Sequence, residues 1–115
     1  MRTLENTPLW TYERQAITEA VTTLTQQFPV EQAILFGSKA RGDSDAYSDI
    51  DLLLIMSQAT PWQDKKAIVD MLFDVGMKYD VLFSFLCVQR EEWNGGIFTE
   101  LPIYREILQD GANIL

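Results

Sequence analysis

Apolar residues recur along the chain with two spacings, one typical of helices and the other of strands. Intervals of three and four residues run through segments 11–28, 61–76 and 98–108, which places the apolar side chains of each segment on one helical face. These segments are bounded by residues that begin or end helices: Pro29, Pro61, Gly76 and Gly111. The pattern therefore predicts three main helices.

Between the helical segments lie short, continuous apolar runs that suit buried strands. They cover residues 33–36 and 52–56, with Ile50 joining the second, and a third strand is predicted over about residues 79–88. Segment 38–48 is rich in Gly, Ser and Asp, which indicates a loop with one helical turn. The order helix, strand, turn, strand, helix, strand, helix predicts an α/β domain of the α+β kind, a small mixed sheet flanked by helices.

Composition limits both the architecture and the chemistry. The 115 residues, of which 47% are hydrophobic, predict one domain over residues 1–115. The absence of histidine excludes His-based acid–base catalysis and His-bound zinc. Cys87 is the single cysteine and favours a buried thiol in a reducing compartment. Residues 1–10 lack a signal-peptide core and no apolar run is long enough to span a membrane, so we expect a cytoplasmic protein with no membrane partner.

The charge balance narrows the class of partner. There are 17 acidic and 9 basic residues, which gives a net charge of −8. Proteins that bind nucleic acid usually have a basic face, because neutralising phosphates supplies much of their affinity. We therefore expect no long nucleic acid as a partner. A basic protein or a metal-bound triphosphate is compatible with this charge.

Two aspartates open the second apolar run, in the order Asp49-Ile50-Asp51. Alternate side chains of a strand share a face, so the two carboxylates should project together, about 7 Å apart along the backbone. A cation between them would relieve their repulsion, and Mg²⁺ prefers such oxygen ligands together with phosphate oxygens and water. The alternative is the solvated face of an edge strand, although aspartate is disfavoured in so apolar a strand.

The turn before this pair has the residues of an anion site. Gly37 follows a buried strand and allows close approach of the backbone, and Ser38 suits the N-cap of a short helical turn. Backbone N–H groups at such a turn and the serine hydroxyl can bind phosphate oxygens. Lys39 and Arg41 can add positive charge toward them. An ordinary Gly-Ser turn is the alternative.

Together these features resemble a known signature. Segment 37–54, GSKARGDSDAYSDIDLLL, closely resembles that of the DNA polymerase β-like nucleotidyltransferases, in which Asp-x-Asp follows Gly-Ser by about ten residues. The Ala-Arg-Gly and the serine before Asp49 are similar to the minimal nucleotidyltransferases found beside HEPN-domain toxins in prokaryotes. The resemblance implies a polymerase β-like fold, triphosphate binding at Gly37 and Ser38, and Mg²⁺ on Asp49 and Asp51, with ATP as a substrate.

The superfamily also places a third acidic residue on a later strand, where it completes the metal site and accepts the proton of the attacking hydroxyl. Asp80 is the best match in this sequence, so the resemblance implies that it is a catalytic residue and a metal ligand. The alternative is that Asp80 caps the turn after Gly76 and points to water.

Three functions remain open. The leading hypothesis, by resemblance, is an antitoxin that transfers AMP from ATP to a tyrosine of a HEPN toxin ribonuclease, in a hetero-oligomer. The second is a weak or inactive nucleotidyltransferase-like module that neutralises its toxin by occlusion, and the third is a stand-alone transferase for a small hydroxyl compound. Trp93 and Phe98 suit either the core or an interface, and we favour the core.

Overall fold

A five-stranded mixed sheet forms the centre of the computed structural model, which describes residues 1–45 and 47–115 and leaves Ala46 outside the described residues. The strands are β1 (Arg2–Thr3), β2 (Val30–Phe36), β3 (Ile50–Met56), β4 (Phe83–Gln89) and β5 (Ala112–Asn113). Their order across the sheet is β1-β5-β2-β3-β4. The pairs β1–β5 and β3–β4 are parallel, whereas β2 is antiparallel to both β3 and β5. The predicted small mixed sheet flanked by helices is confirmed.

Five helices among the described residues connect or cover these strands. They are α1 (Thr11–Gln27), α2 (Gly37–Arg41), α3 (Trp62–Tyr79), α4 (Arg90–Trp93) and α5 (Pro102–Asp110), with 3-10 turns at Leu4–Asn6 and Ile97–Glu100. None of the helices among the described residues is long and apolar enough to cross a membrane.

The sheet has an apolar core on each face, which the alternation of strand side chains explains. On one face, Leu52 and Leu54 of β3 pack in a core with Ile17 of α1 and Leu72 of α3. On the other face, Leu53 and Ile55 of β3 pack with residues of the C-terminal segment: Trp93, Phe98, Tyr104 and Ile107. The rings of Trp93 and Tyr104 lie 4.8 Å apart between centroids, and Phe98 is buried. The expectation that Trp93 and Phe98 belong to the core is therefore confirmed.

The end of α3 corrects the prediction made from Gly76. This glycine lies inside the helix and is buried, and a β-carbon on it would lie 2.5 Å from the Val81 carbonyl oxygen. The helix continues to Tyr79 and ends where Asp80 adopts a left-handed conformation with φ 58°. The Val81 N–H then donates to the Gly76 carbonyl over 3.0 Å. Gly76 is thus needed because the chain turns back against it, and β4 begins at Phe83, later than predicted.

Candidate active site

The aspartate pair lies where β3 begins, beside the end of β2. Asp51 is the second residue of β3, half-buried, and pairs in register with Phe36, the last residue of β2. Asp49 is exposed and precedes the strand. Of the two aspartates, therefore, Asp51 alone is held in place by strand pairing. By strand alternation Asp51 projects from the same face as Leu53 and Ile55, which is the face covered by α4 and α5.

Gly37 leaves the space that the Asp51 carboxylate occupies. Its φ of 75° lies in the left-handed region, which side chains other than glycine rarely adopt. A β-carbon built on Gly37 would overlap the Asp51 Oδ2 atom. Gly37 is therefore required both for its backbone conformation and for the close approach of Asp51, which brings the turn and Asp51 together in one candidate site.

The phosphate-binding residues predicted in the turn fall into different environments. Ser38 is half-buried in the first turn of α2, and the N-cap of that helix is Phe36, so the predicted N-cap role of Ser38 is wrong. Its carbonyl accepts hydrogen bonds from Gly42 over 2.9 Å and Asp43 over 3.3 Å. Arg41 is exposed and pairs with Asp43 over 3.1 Å, and this hydrogen bond raises the pKa of Arg41. Its guanidinium therefore stays at the surface and charged.

Lys39 is held inside the protein by another charge. It is 2% exposed, and its ammonium forms a salt bridge with Glu13 of α1, which is 3% exposed. It also donates to the Asp45 carbonyl over 2.8 Å and lies 5.6 Å from the centroid of the Trp10 ring. These contacts tie α1, α2 and the following loop together. They give Lys39 a structural role that the sequence did not reveal, in place of the free cation that was expected to face phosphate.

The loop that leads to Asp49 is organised by hydrogen bonds to Asp45. The Asp45 carboxylate accepts from the Tyr47 N–H over 2.8 Å and from the Ser48 hydroxyl over 3.2 Å. Because the Asp45 carbonyl is also bound by Lys39, the buried ion pair is linked to the segment that positions Asp49. Glu13 belongs to this arrangement and was missed, since the only signal was an acidic residue on the buried face of a predicted helix.

Asp80 does not join the aspartate pair. It is exposed at the C-terminal end of α3, outside β4, which matches the alternative in which it caps a turn. Asp80 and Ser48 line a cavity of about 630 Å³ between the C-terminal end of α3 and the N-terminal end of α1, and neither Asp49 nor Asp51 lines it. Within segments 1–45 and 47–115, no group of three or more Asp, Glu, Cys or His side chains is placed to hold a metal ion.

The strand residue beside Asp51 in β4 is Ser84. The two are partners in the parallel register, and the Ser84 hydroxyl donates a hydrogen bond to the Asp51 Oδ1 atom. No motif in the sequence pointed to Ser84, because its register depends on how α3 returns the chain to the sheet. The site thus consists of Asp49, Asp51 and Ser84 beside the Gly37-Ser38 turn.

These residues can bind a cation and an anion side by side. Asp51 in β3 and Asp49 just before that strand supply the oxygen ligands that Mg²⁺ favours. Phosphate oxygens and water would complete the coordination of the ion. The adjoining turn offers backbone N–H groups and the Ser38 hydroxyl. The donor set therefore fits Mg²⁺ carried by a polyphosphate better than a cation enclosed by protein ligands alone.

Comparisons with known proteins agree with this chemistry. The nucleotidyltransferase domain family matches residues 17–109. Two proteins of Methanocaldococcus jannaschii, both named putative protein adenylyltransferase, are similar to the chain. One is 38% identical over 55 residues, which are 48% of this chain and 56% of that protein, so the match spans little more than half of its length. The other is 31% identical over 101 residues, which are 86% of this chain and 94% of that protein.

Two solved structures share the fold. The crystal structure of a putative nucleotidyltransferase from Sulfolobus solfataricus superposes with a TM-score of 0.56 at 22% identity, covering 86% of this chain and 76% of the other. A toxin–antitoxin structure with AMP-PNP superposes with a TM-score of 0.60 at 12% identity, covering 85% of this chain and 72% of the other. At such identities the likeness concerns the fold alone.

Proposed function

Because the chain belongs to the nucleotidyltransferase domain family, we propose that it transfers AMP from ATP, with Mg²⁺, to a tyrosine hydroxyl of a partner protein. The observation that carries this proposal is the contact between Gly37 and Asp51. It supports the proposal because the turn that we propose binds phosphate lies directly against Asp51, the carboxylate that we propose holds the metal, and transfer from a metal-bound triphosphate needs both together.

In this proposal each residue of the site has a separate task. Asp49 and Asp51 would hold Mg²⁺, which would supply charge neutralisation for the phosphates and for the leaving pyrophosphate. The backbone of Gly37 and the hydroxyl of Ser38 orient the triphosphate. Arg41 is exposed and permanently charged, so it can reach phosphate oxygens only by leaving Asp43. Lys39 does not contact the nucleotide in this proposal. It acts indirectly, because its salt bridge with Glu13 holds α2 against α1.

The reaction is an in-line displacement at the α-phosphorus of ATP. A bond forms between the tyrosine oxygen and the α-phosphorus, the bond to the bridging oxygen of the β-phosphate breaks, and pyrophosphate leaves with that electron pair. The proton of the tyrosine passes to water, because Asp80 lies at the end of α3 and not beside the pair. Positioning and charge neutralisation supply most of the catalysis in this class of reaction.

The partner in this proposal is a toxin of the HEPN type. The fold is shared with a component of a toxin–antitoxin structure, and two relatives are named as protein adenylyltransferases, which supports a protein acceptor. The net charge of −8 suits docking on a basic, RNA-binding protein. In the same proposal the protein is cytoplasmic, forms a hetero-oligomer with this toxin and uses ATP as its nucleotide.

A second candidate is a module that occludes its toxin and transfers AMP slowly or not at all. It is favoured by one observation, namely that Asp80 stands apart from Asp49 and Asp51, so that a cluster of three acids is missing from the described part of the chain. The intact turn and aspartate pair favour the enzyme.

The experiment incubates the chain with Mg²⁺-ATP and a HEPN toxin purified without its antitoxin, and measures the intact mass of the toxin. The proposal predicts the addition of one or more AMP units, mapped by fragmentation to a tyrosine, and no addition with the Asp49→Asn/Asp51→Asn variant. A toxin that is bound and inhibited without any gain in mass would favour occlusion. A mass gain that persists with the double variant would remove the assigned site.

A further inference from the structure

The geometry points to a site for one protein-bound Mg²⁺ rather than two, because Ser84 occupies the position from which a third carboxylate would complete a two-ion site. This inference deepens the proposed function and rests on its assignment of Asp49 and Asp51 as the metal-binding pair.

The register of the sheet places Ser84 beside Asp51. Asp51 pairs with Phe36 on one side and with Ser84 on the other. Neighbouring strands lie about 4.8 Å apart, and residues in register point to the same face. A side chain at position 84 therefore reaches the Asp51 carboxylate directly, and the hydrogen bond between the two shows that it does so. The next residues on that face of β4, Leu86 and Val88, are apolar.

The two carboxylate oxygens of Asp51 have different neighbours. Oδ1 accepts the hydrogen bond from the Ser84 hydroxyl, whereas Oδ2 lies over Gly37, next to the phosphate-binding turn. A cation shared with a triphosphate would be met by Oδ2. A second cation on the side of Oδ1 would face the neutral hydroxyl of Ser84, which already donates a hydrogen bond to Asp51.

The anionic ligands at the site also limit the number of cations that it can hold. Two ions about 3.5–4 Å apart repel each other strongly, and sites that hold such pairs depend on anionic ligands that bridge them. Asp49 and Asp51 are the anionic ligands that the protein supplies here, and Ser84 adds no charge, so the described part of the chain offers no further carboxylate to bridge or hold a second ion beside the nucleotide. Asp80, the acidic residue nearest to β4 in the sequence before that strand, precedes Val81 and Leu82 and caps α3, so it lies outside β4.

A single ion has a consequence for the reaction. It can neutralise the triphosphate and the leaving pyrophosphate, but the acceptor hydroxyl is then not activated by a second metal. Ser84→Asp should place a third carboxylate on the same face of the sheet as Asp51, because position 84 pairs in register with Asp51.

The test counts bound Mn²⁺, used as a spectroscopic probe for Mg²⁺, by electron paramagnetic resonance in the presence of saturating AMP-PNP. Free and nucleotide-only Mn²⁺ are subtracted with a protein-free control. We expect one protein-bound ion for the parent and two for Ser84→Asp, with an increase of at least about tenfold in the rate of AMP transfer. The control is Ser84→Asn, because asparagine has nearly the shape of aspartate but no charge. This variant should bind one ion.

The outcomes separate this inference from the proposed function. Two ions in the parent would overturn the inference, and so would a folded Ser84→Asp variant that binds one. If Ser84→Asp does not fold, the count in the parent alone still decides. A parent that binds one ion with AMP-PNP but modifies no protein would uphold the inference and contradict the proposed function, whereas a parent that binds no ion would contradict both.

Discussion

Asp51 lies so close to the backbone of Gly37 that a β-carbon on Gly37 would overlap the Asp51 Oδ2 atom. The glycine also has φ 75°, so its conformation and its lack of a side chain serve the same contact. A substitution at Gly37 therefore displaces a carboxylate of the site before it obstructs any phosphate. A Gly-Ser turn by itself suggests instead that a side chain at Gly37 would act only by obstructing the approach of phosphate.

The first prediction concerns that contact. Gly37→Ala should destabilise the protein by at least about 1–2 kcal/mol, because the left-handed conformation alone costs that much for a residue with a β-carbon. It should also weaken Mg²⁺-ATP binding, since Asp51 must move. Gly95→Ala is the matched control, because it would meet nothing within 4 Å and lacks a positive φ. Urea unfolding and nucleotide titration of both variants decide, and equal behaviour would contradict this account of Gly37.

The buried ion pair gives a second prediction. Lys39→Met should destabilise the protein by about 3–5 kcal/mol, because it leaves the Glu13 carboxylate buried without a countercharge. Adding Glu13→Gln should recover much of this loss. Lys66→Met removes an exposed partner of Asp70 and should cost less than about 0.5 kcal/mol. Chemical denaturation of the four proteins tests the pair, and a Lys39→Met loss as small as that of Lys66→Met would refute its structural role.

A third prediction uses the pH dependence of a contact between α1 and α3. Hydrogen bonds from Lys78 and Tyr79 lower the pKa of Glu19 from its ordinary value of 4.5. A lowered pKa in the folded state stabilises the protein above pH 4.5, and this contribution disappears as the pH falls through the folded-state pKa. Glu19→Gln should therefore melt below the parent at pH 7, with the difference closing below pH 4.5. A difference that is constant with pH would contradict this assignment.

Asp80 supplies the fourth prediction, because its structural and catalytic roles have opposite consequences. As the left-handed cap of α3, it should be replaceable by glycine, which adopts φ 58° without strain. Asp80→Gly should hold or raise the melting temperature, and both Asp80→Gly and Asp80→Asn should retain the transfer rate within about threefold, well below the hundredfold loss expected for a catalytic acid or base. A loss of a hundredfold in both folded variants would restore Asp80 to the chemistry.

The helices and the central strands could be predicted because their apolar spacing is regular over many residues. Thr11–Gln27 and Ile50–Met56 match the predicted segments to within a residue. Strands β1 and β5 were missed because two residues are too few to show a period. The extension of α3 past Gly76 was missed because a glycine needed for close packing has the same appearance in sequence as one that ends a helix.

The site divides in the same way. The pattern of Gly37, Ser38, Asp49 and Asp51 is local in sequence, and the structure brings Gly37 and Asp51 into contact. The roles of Lys39 and Ser84 depend on partners that lie in distant segments, Glu13 in α1 and Asp51 in β3. No spacing rule within one segment reports such pairs, since they follow from the docking of α1 and the register of β4.

The most direct measurement of the central claim is the shift in melting temperature that Mg²⁺-ATP produces in the parent and in Asp49→Asn/Asp51→Asn. The parent should be stabilised by Mg²⁺-ATP and much less by ATP with EDTA, because binding to the folded state alone raises stability. The double variant should fold and melt no lower than the unliganded parent, since carboxylate repulsion is removed, and should show little response to Mg²⁺-ATP. A double variant that responds as strongly as the parent would show that the aspartate pair does not hold the metal and its nucleotide.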